Sequence, residues 1–274
     1  MNILPKIQHP VIMGILNVTP DSFSDGGQFN KTEHAISHAI EMYEQGAAII
    51  DVGGESTRPG AKEISTDEQI RRVIPVIEGI RKLNTDVIIS VDTTDVLVAK
   101  AALQAGANWI NDISAGESSD TMLMLAAEQN IPIILMHRLG KSDRMQENPE
   151  YGDVCAEVKR YLQDRADIAL KAGVEKVNII LDPGIGFGKT TLHNLQLLAN
   201  LESFADMEYP ILLGTSRKRF LGEITHQDSP ESRVAATCAT TALGVNAGVQ
   251  IFRVHDVLEN KNAMDVAWSI KNAY

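Results

Sequence analysis

Three residues stand where apolar runs end, and each carries a hydrogen-bond acceptor: Asp92 in ISVDTT, Asn111 in WINDIS and Asp182 in NIILDPGIGFGKT. One such residue alone reads as a helix cap or a turn carboxylate. Three on separate strands, converging on one mouth, suit a flat heterocycle bearing amino and ring N–H donors, such as a purine or a pterin. Two later runs end in cations. TSRKR carries Arg217, Lys218 and Arg219, and FRVHD carries Arg253 and His255. Arginine grips phosphate oxygens with a two-pronged fork. A solvated basic turn competes with that explanation most strongly at Arg217 and Arg219.

Other candidates are weaker. Asn17, Asp21 and Asp25 share one long segment after the first apolar run. A neutral Asn oxygen is an acceptable Mg²⁺ ligand, because Mg²⁺ keeps several waters and takes other oxygens from phosphates. Asp21 is better explained by turn chemistry. The glycines of DPGIGFGKT fail both nucleotide motifs: a P-loop would need glycine where Pro183 stands, and a dinucleotide fingerprint where Lys189 stands. They predict a flexible or tightly turned loop instead. His34 and His38 have helical spacing without a zinc motif, so a solvated face is expected. His137 is either a rim residue or a satisfied core imidazole. No G-x-S-x-G elbow appears, and covalent nucleophilic catalysis has no visible carrier.

The elements that must position these residues alternate. Eight apolar runs begin near Val11, Ala47, Val87, Trp109, Pro132, Asn178, Pro210 and Val249. They are continuous Val/Ile/Leu stretches, as in parallel strands covered on both faces. Helical patterns follow them over 32–45, 67–83, 95–105, 120–129, 153–172, 192–201, 231–245 and 256–271. Eight right-handed βαβ units favour a closed α/β barrel, a (β/α)8 TIM barrel, over an open sheet. Its active rim lies at the C-terminal strand ends, with phosphate sites often after the seventh and eighth strands. Such a barrel takes about 250 residues, so 274 residues fit one domain over 1–274. The connections over 17–31 and 53–66 exceed the usual length and are candidates for function.

The net charge of −11 argues against nucleic acid as a partner. Cys155 and Cys238 form no C-x-x-C pair and are expected to be idle thiols in a reducing cytoplasm. The opening residues show no secretory h-region, and no apolar stretch is long enough for a membrane span.

The segments NVTPDSFSDGG (17–27) and DVGGESTRPGA (51–61) resemble the two signatures of the dihydropteroate synthase family. SVDTT, NDIS, LMH, DPGIGFGK, GTSRK and RVHDV follow in that family's order, so the resemblance spans the whole chain. It implies a homodimeric barrel of folate biosynthesis. The implied reaction joins 4-aminobenzoate to 6-hydroxymethyl-7,8-dihydropterin pyrophosphate, releasing pyrophosphate. By resemblance, Asp92, Asn111, Asp182 and Lys218 hold the pterin, with Met136 packing on it. Asn17, Arg253 and His255 hold the pyrophosphate with Mg²⁺. Thr57, Arg58, Pro59, Phe187, Gly214, Ser216 and Lys218 shape the substrate pockets, and sulfonamides would occupy the aminobenzoate site. Arg138 and Leu139 depart from the family's usual residues after the LMH motif. The nearest alternative is a methyltetrahydrofolate-binding barrel of corrinoid methyl transfer. Such a barrel needs no pyrophosphate grip and no STRPG loop.

Overall fold

The computed structural model describes residues 9–19, 28–55, 64–140 and 149–273. Strands β1 (Val11–Asn17), β2 (Ala47–Gly53), β3 (Ile88–Asp92), β4 (Trp109–Asp112), β5 (Ile133–Met136), β6 (Ile179–Asp182), β7 (Leu212–Leu213) and β8 (Ile251–Val254) form one parallel sheet. Its order is β6-β5-β4-β3-β2-β1-β8-β7, and a parallel bridge between Leu181 and Ile211 joins the two ends. The result is the expected (β/α)8 barrel. β7 is short because its first rung is borrowed: the Gln250 side chain accepts from the Ile211 N–H at 2.8 Å.

Among the described residues ten α-helices pack outside: α1 (Gln28–Glu44), α2 (Thr66–Leu83), α3 (Val96–Ala105), α4 (Asp120–Gln129), α5 (Val154–Lys171), α6 (Thr191–Ala199), α7 (Leu201–Ala205), α8 (Arg219–Thr225), α9 (Val234–Asn246) and α10 (Val257–Lys271). Two differences from the sequence expectation have local causes. The pattern over 192–201 is two helices, because Asn200 leaves helical geometry and folds its side-chain amide back onto the Gln196 carbonyl at 2.8 Å. The unexpected α8 starts directly after the TSRK turn, where Lys218 is the cap residue. Among the described residues, no helix is long and apolar enough to cross a membrane.

The apolar runs are continuous because each strand buries two faces. Outward side chains such as Ile50, Val91, Leu135 and Leu181 join the helices in one large core. Inside, each strand gives one residue to a second cluster: Met13, Ile49, Ile88, Trp109, Ile134, Ile180, Leu212 and Ile251. This layer is the floor of the site. Side chains on one strand face recur every second residue, so two steps above the floor come Ile15, Asp51, Ser90, Asn111, Met136, Asp182, Gly214 and Arg253. Two more steps give Asn17, Gly53, Asp92, Ile113, Ser216 and His255. An apolar plug thus supports a polar rim at the C-terminal ends.

Candidate active site

A cavity of about 680 Å³ opens on that rim. Asn17, Asp92, Asn111, Met136, Asp182, Phe187, Gly214, Ser216, Lys218, Arg253 and His255 all line it. Sequence-named candidates from seven strand ends therefore meet in one space. Thr57, Arg58 and Pro59, with Asp21 and Asp25, lie outside the described residues.

On one side are acceptors. Asp92 and Asp182 are 8% and 6% exposed, and Asn111 is 3% exposed. Burial pushes the Asp92 carboxyl up to about 7; Arg253 opposes the shift, while the Asp51, Asp112 and Glu55 carboxylates add to it. Burial likewise lifts Asp182 to about 6, against the Gly184 N–H and the cations of Lys218, Arg253 and Lys189. Met136, 2% exposed, supplies an apolar wall.

On the other side are cations. Arg253 donates through Nε to Asp51 Oδ2 at 2.6 Å and through Nη2 to Asp92 Oδ2 at 2.7 Å. Burial works against its charge, yet the two carboxylates outweigh it and hold the guanidinium above its ordinary range. Lys218 Nζ sits 4.0 Å from the Phe187 ring centre, in cation–π contact. Burial, with Arg253 nearby, lowers Lys218 to about 8, against Asp182 and Asp92. His255 is oriented by Ser216, whose Oγ lies 2.9 Å from Nδ1 and accepts the His255 backbone N–H at 3.0 Å. Ser216 is thus a partner of the anion-side histidine as well as a cavity residue.

The other two cations of the TSRKR turn do different work. Arg217 has φ +58, a left-handed conformation unusual for a residue with a side chain. Its guanidinium makes a two-pronged pair with Asp256, at 3.0 and 2.6 Å, and Arg233 donates to its carbonyl at 3.0 Å. This clamp ties the tail of β7 to that of β8. Arg219 reaches the cavity edge with a side chain 90% exposed, paired with Glu223 one helical turn on.

Of the two forms the sequence allows, flexible or tightly turned, the glycine loop after β6 takes the tight turn. Gly184 has φ +66, and a Cβ there would stand 1.8 Å from the His137 carbonyl oxygen. Its N–H donates to Asp182 Oδ1 at 2.7 Å, so the turn fixes the carboxylate.

Two residues escaped the sequence reading. Lys189, 3% exposed, lies behind the loop and donates to the Gly184 carbonyl at 2.9 Å and the Phe187 carbonyl at 3.0 Å. Its Nζ is also 2.9 Å from His137 Nδ1. Burial brings Lys189 down to about 7, and Lys218 adds to that while Asp182 opposes it. His137 resolves as a buried, satisfied imidazole: burial and Lys189 press it down to about 3, and Tyr161 packs edge-on at 4.8 Å. Its neutral ring accepts from Lys189. Asp51, 0% exposed, also accepts from Asn111 Nδ2 at 2.9 Å. A carboxylate inside an otherwise apolar strand was its available signal. His38 pairs with Glu41 on the exposed face of α1, and Cys155 and Cys238 are half-buried free thiols.

The family described as "Pterin binding enzyme" matches residues 13–255. A dihydropteroate synthase of Bacillus subtilis (strain 168) is 51% identical over 247 residues, 90% of this chain and 84% of its own length. A solved structure of Xanthomonas albilineans dihydropteroate synthase with 4-aminobenzoic acid superposes with a TM-score of 0.91 at 43% identity, covering 97% of this chain and 94% of that one. A second, in complex with 7,8-dihydropteroate, gives 0.87 at 39% identity, over 97% and 95%. With an acceptor-lined pocket and a cationic edge on one barrel rim, the chain belongs to the pterin-binding enzymes and, among them, to the dihydropteroate synthases.

Proposed function

We propose that the rim cavity condenses 6-hydroxymethyl-7,8-dihydropterin pyrophosphate with 4-aminobenzoate, giving 7,8-dihydropteroate and pyrophosphate. The observation that carries this reading is that one cavity offers partners suited to both halves of such a substrate. Asp92, Asn111 and Asp182 offer acceptors to amino and ring N–H groups, and beside them Arg253 and Lys218 offer cations and His255 an imidazole.

The residues imply an order of events. The bond between the pterin methylene and the pyrophosphate oxygen breaks, and its electron pair leaves with the oxygen. Arg253 and His255 stabilise that growing anionic charge. The carboxylates of Asp92 and Asp182 face the electron-poor pterin left behind. The arylamine lone pair then forms the C–N bond, and the amine loses a proton. Lys218, held over Phe187 on the cavity wall, would serve both the pterin and the aminobenzoate. No covalent enzyme intermediate is required.

Mg²⁺ belongs to the same proposal. Among the described residues no group of three or more His, Cys, Asp and Glu side chains is placed to enclose a metal. Asn17 lines the anion side of the cavity with a neutral oxygen donor. One protein oxygen completed by pyrophosphate oxygens and water is a donor set Mg²⁺ accepts and softer metals do not favour. Bound there, the ion would neutralise leaving-group charge. A homodimer in the cytoplasm is part of this reading, and sedimentation velocity tests the dimer.

The test is product formation with both substrates and Mg²⁺. Dihydropteroate and pyrophosphate should appear in equal amounts. Tight pterin binding with no dihydropteroate would overturn the reading and leave a pterin-binding barrel of another kind.

A further inference from the structure

Asp51 cannot touch a substrate: it is 0% exposed and lies on β2 below the cavity. Yet one of its oxygens, Oδ2, accepts from two residues of the site, Arg253 Nε at 2.6 Å and Asn111 Nδ2 at 2.9 Å. We propose that Asp51 is a positioning residue that locks the heterocycle pocket and the anion grip to each other through this shared oxygen. The proposal rests on the pterin and pyrophosphate reading above.

The chemistry of the partners gives it content. A side-chain amide presents a donor at one end and an acceptor at the other. A carboxylate only accepts, so Asp51 takes the Asn111 NH₂ and turns the Asn111 oxygen toward the cavity. The pocket is thereby set to receive N–H donors. The same oxygen takes Nε of Arg253, while Asp92 takes Nη2. Two fixed prongs define the plane of the guanidinium, and Nη1 makes no hydrogen bond to the described residues. Buried carboxylate oxygens are ordinarily hydrogen-bonded. Here Oδ1 of Asp51 is buried with no hydrogen-bond partner among the described residues. Ser90, its register partner on β3, has an equally unpartnered Oγ. Buried polar groups left in that condition are uncommon and tend to mark function.

The test uses Asp51→Asn, which keeps the shape and removes the charge and the acceptor-only character. Two probes are measured separately by calorimetry: 6-hydroxymethylpterin, which lacks pyrophosphate, and inorganic pyrophosphate with Mg²⁺. Asp51→Asn should weaken both at least tenfold. Asn111→Ala should chiefly weaken the pterin, and Arg253→Ala chiefly the pyrophosphate. In the double variants the Asp51 effect should shrink below threefold, on pyrophosphate beside Arg253→Ala and on pterin beside Asn111→Ala, because the residue acts through those partners. Wild-type-like affinity for either probe, or fully additive losses, would overturn the proposal. If the wild-type chain binds neither probe, the pocket reading itself fails and this inference goes with it. Should Asp51→Asn not fold, the wild-type protein still decides. The Arg253 Nε–H resonance should stay protected from exchange when pyrophosphate binds, and its release would overturn the lock.

Discussion

Gly184→Ala tests whether the glycine loop positions Asp182. Two penalties can be read from the structure. At φ +66 an alanine enters the left-handed region, which costs about 1–2 kcal/mol. The new Cβ would also stand 1.8 Å from the His137 carbonyl oxygen, where real Cβ contacts are essentially never under 3.0 Å. That oxygen is backbone, so the loop must open by roughly 1 Å, and overpacking of this kind adds about 1–3 kcal/mol. The expected loss is about 2–5 kcal/mol, or roughly 4–10 °C in Tm for a domain of this size. The opening also pulls the Gly184 N–H from Asp182 Oδ1, now 2.7 Å away. Misplacing a site by about 1 Å costs on the order of 100-fold in rate, so kcat/KM for the dihydropterin substrate should fall by about that factor. Gly152→Ala is the control, since its Cβ would meet only a Glu157 side-chain oxygen at 3.5 Å. A Gly184→Ala variant with unchanged Tm and kcat/KM within threefold of wild type would refute the reasoning.

Asp182→Asn should stabilise the protein at pH 8 while weakening pterin binding at least tenfold. A carboxyl raised from 3.8 to about 6 contributes stability that is present below pH 4 and lost as the pH climbs through 6. Removing it should gain at most about 3 kcal/mol at pH 8 and nothing near pH 4, measured by urea unfolding at both. Arg253→Ala leaves Asp51 and Asp92 facing each other without their cation, a loss of about 3–5 kcal/mol for a broken buried pair. The loss should be smaller at pH 5, where Asp92, raised to about 7, already carries a proton in the wild type and removal of Arg253 strands one carboxylate fewer; equal losses at pH 5 and 8 would count against the assignment. Asn17→Ala should raise the Mg²⁺ concentration giving half-maximal rate at least fivefold while leaving 6-hydroxymethylpterin affinity unchanged. A shift in both would move Asn17 out of the metal role.

Much of this site was visible as chemistry at strand ends. Asp92, Asn111, Asp182, Arg253 and His255 each follow an apolar run, and period-two alternation within a barrel brings such residues to one rim. Pattern could not assign the partner of each cation. Arg217, Lys218 and Arg219 are adjacent in sequence, yet they go to Asp256, to the Phe187 face and to Glu223. A left-handed residue at Arg217 aims the three side chains apart, and no propensity marks an arginine for that conformation. Lys189 was legible only as a position where a nucleotide motif fails, because its partners are backbone carbonyls of its own loop and a histidine 52 residues away. Asp51 was hidden inside a strand, and its meaning depends on Arg253, 202 residues further along the chain. The split near Asn200 and the short α8 follow from local backbone geometry that apolar periodicity does not encode.

In the proposed reaction the rim separates charge: pyrophosphate departs toward Arg253 and His255 before the arylamine attacks. Positional isotope exchange addresses this most directly. Dihydropterin pyrophosphate carrying ¹⁸O in the bridge between methylene and phosphorus would be incubated with enzyme and Mg²⁺, without 4-aminobenzoate. If departure comes first, ¹⁸O scrambles into the non-bridging positions of recovered substrate, because the C–O bond opens and recloses within the cavity. Full turnover on adding 4-aminobenzoate, with no scrambling before or during it, would contradict the account and require direct displacement by the amine.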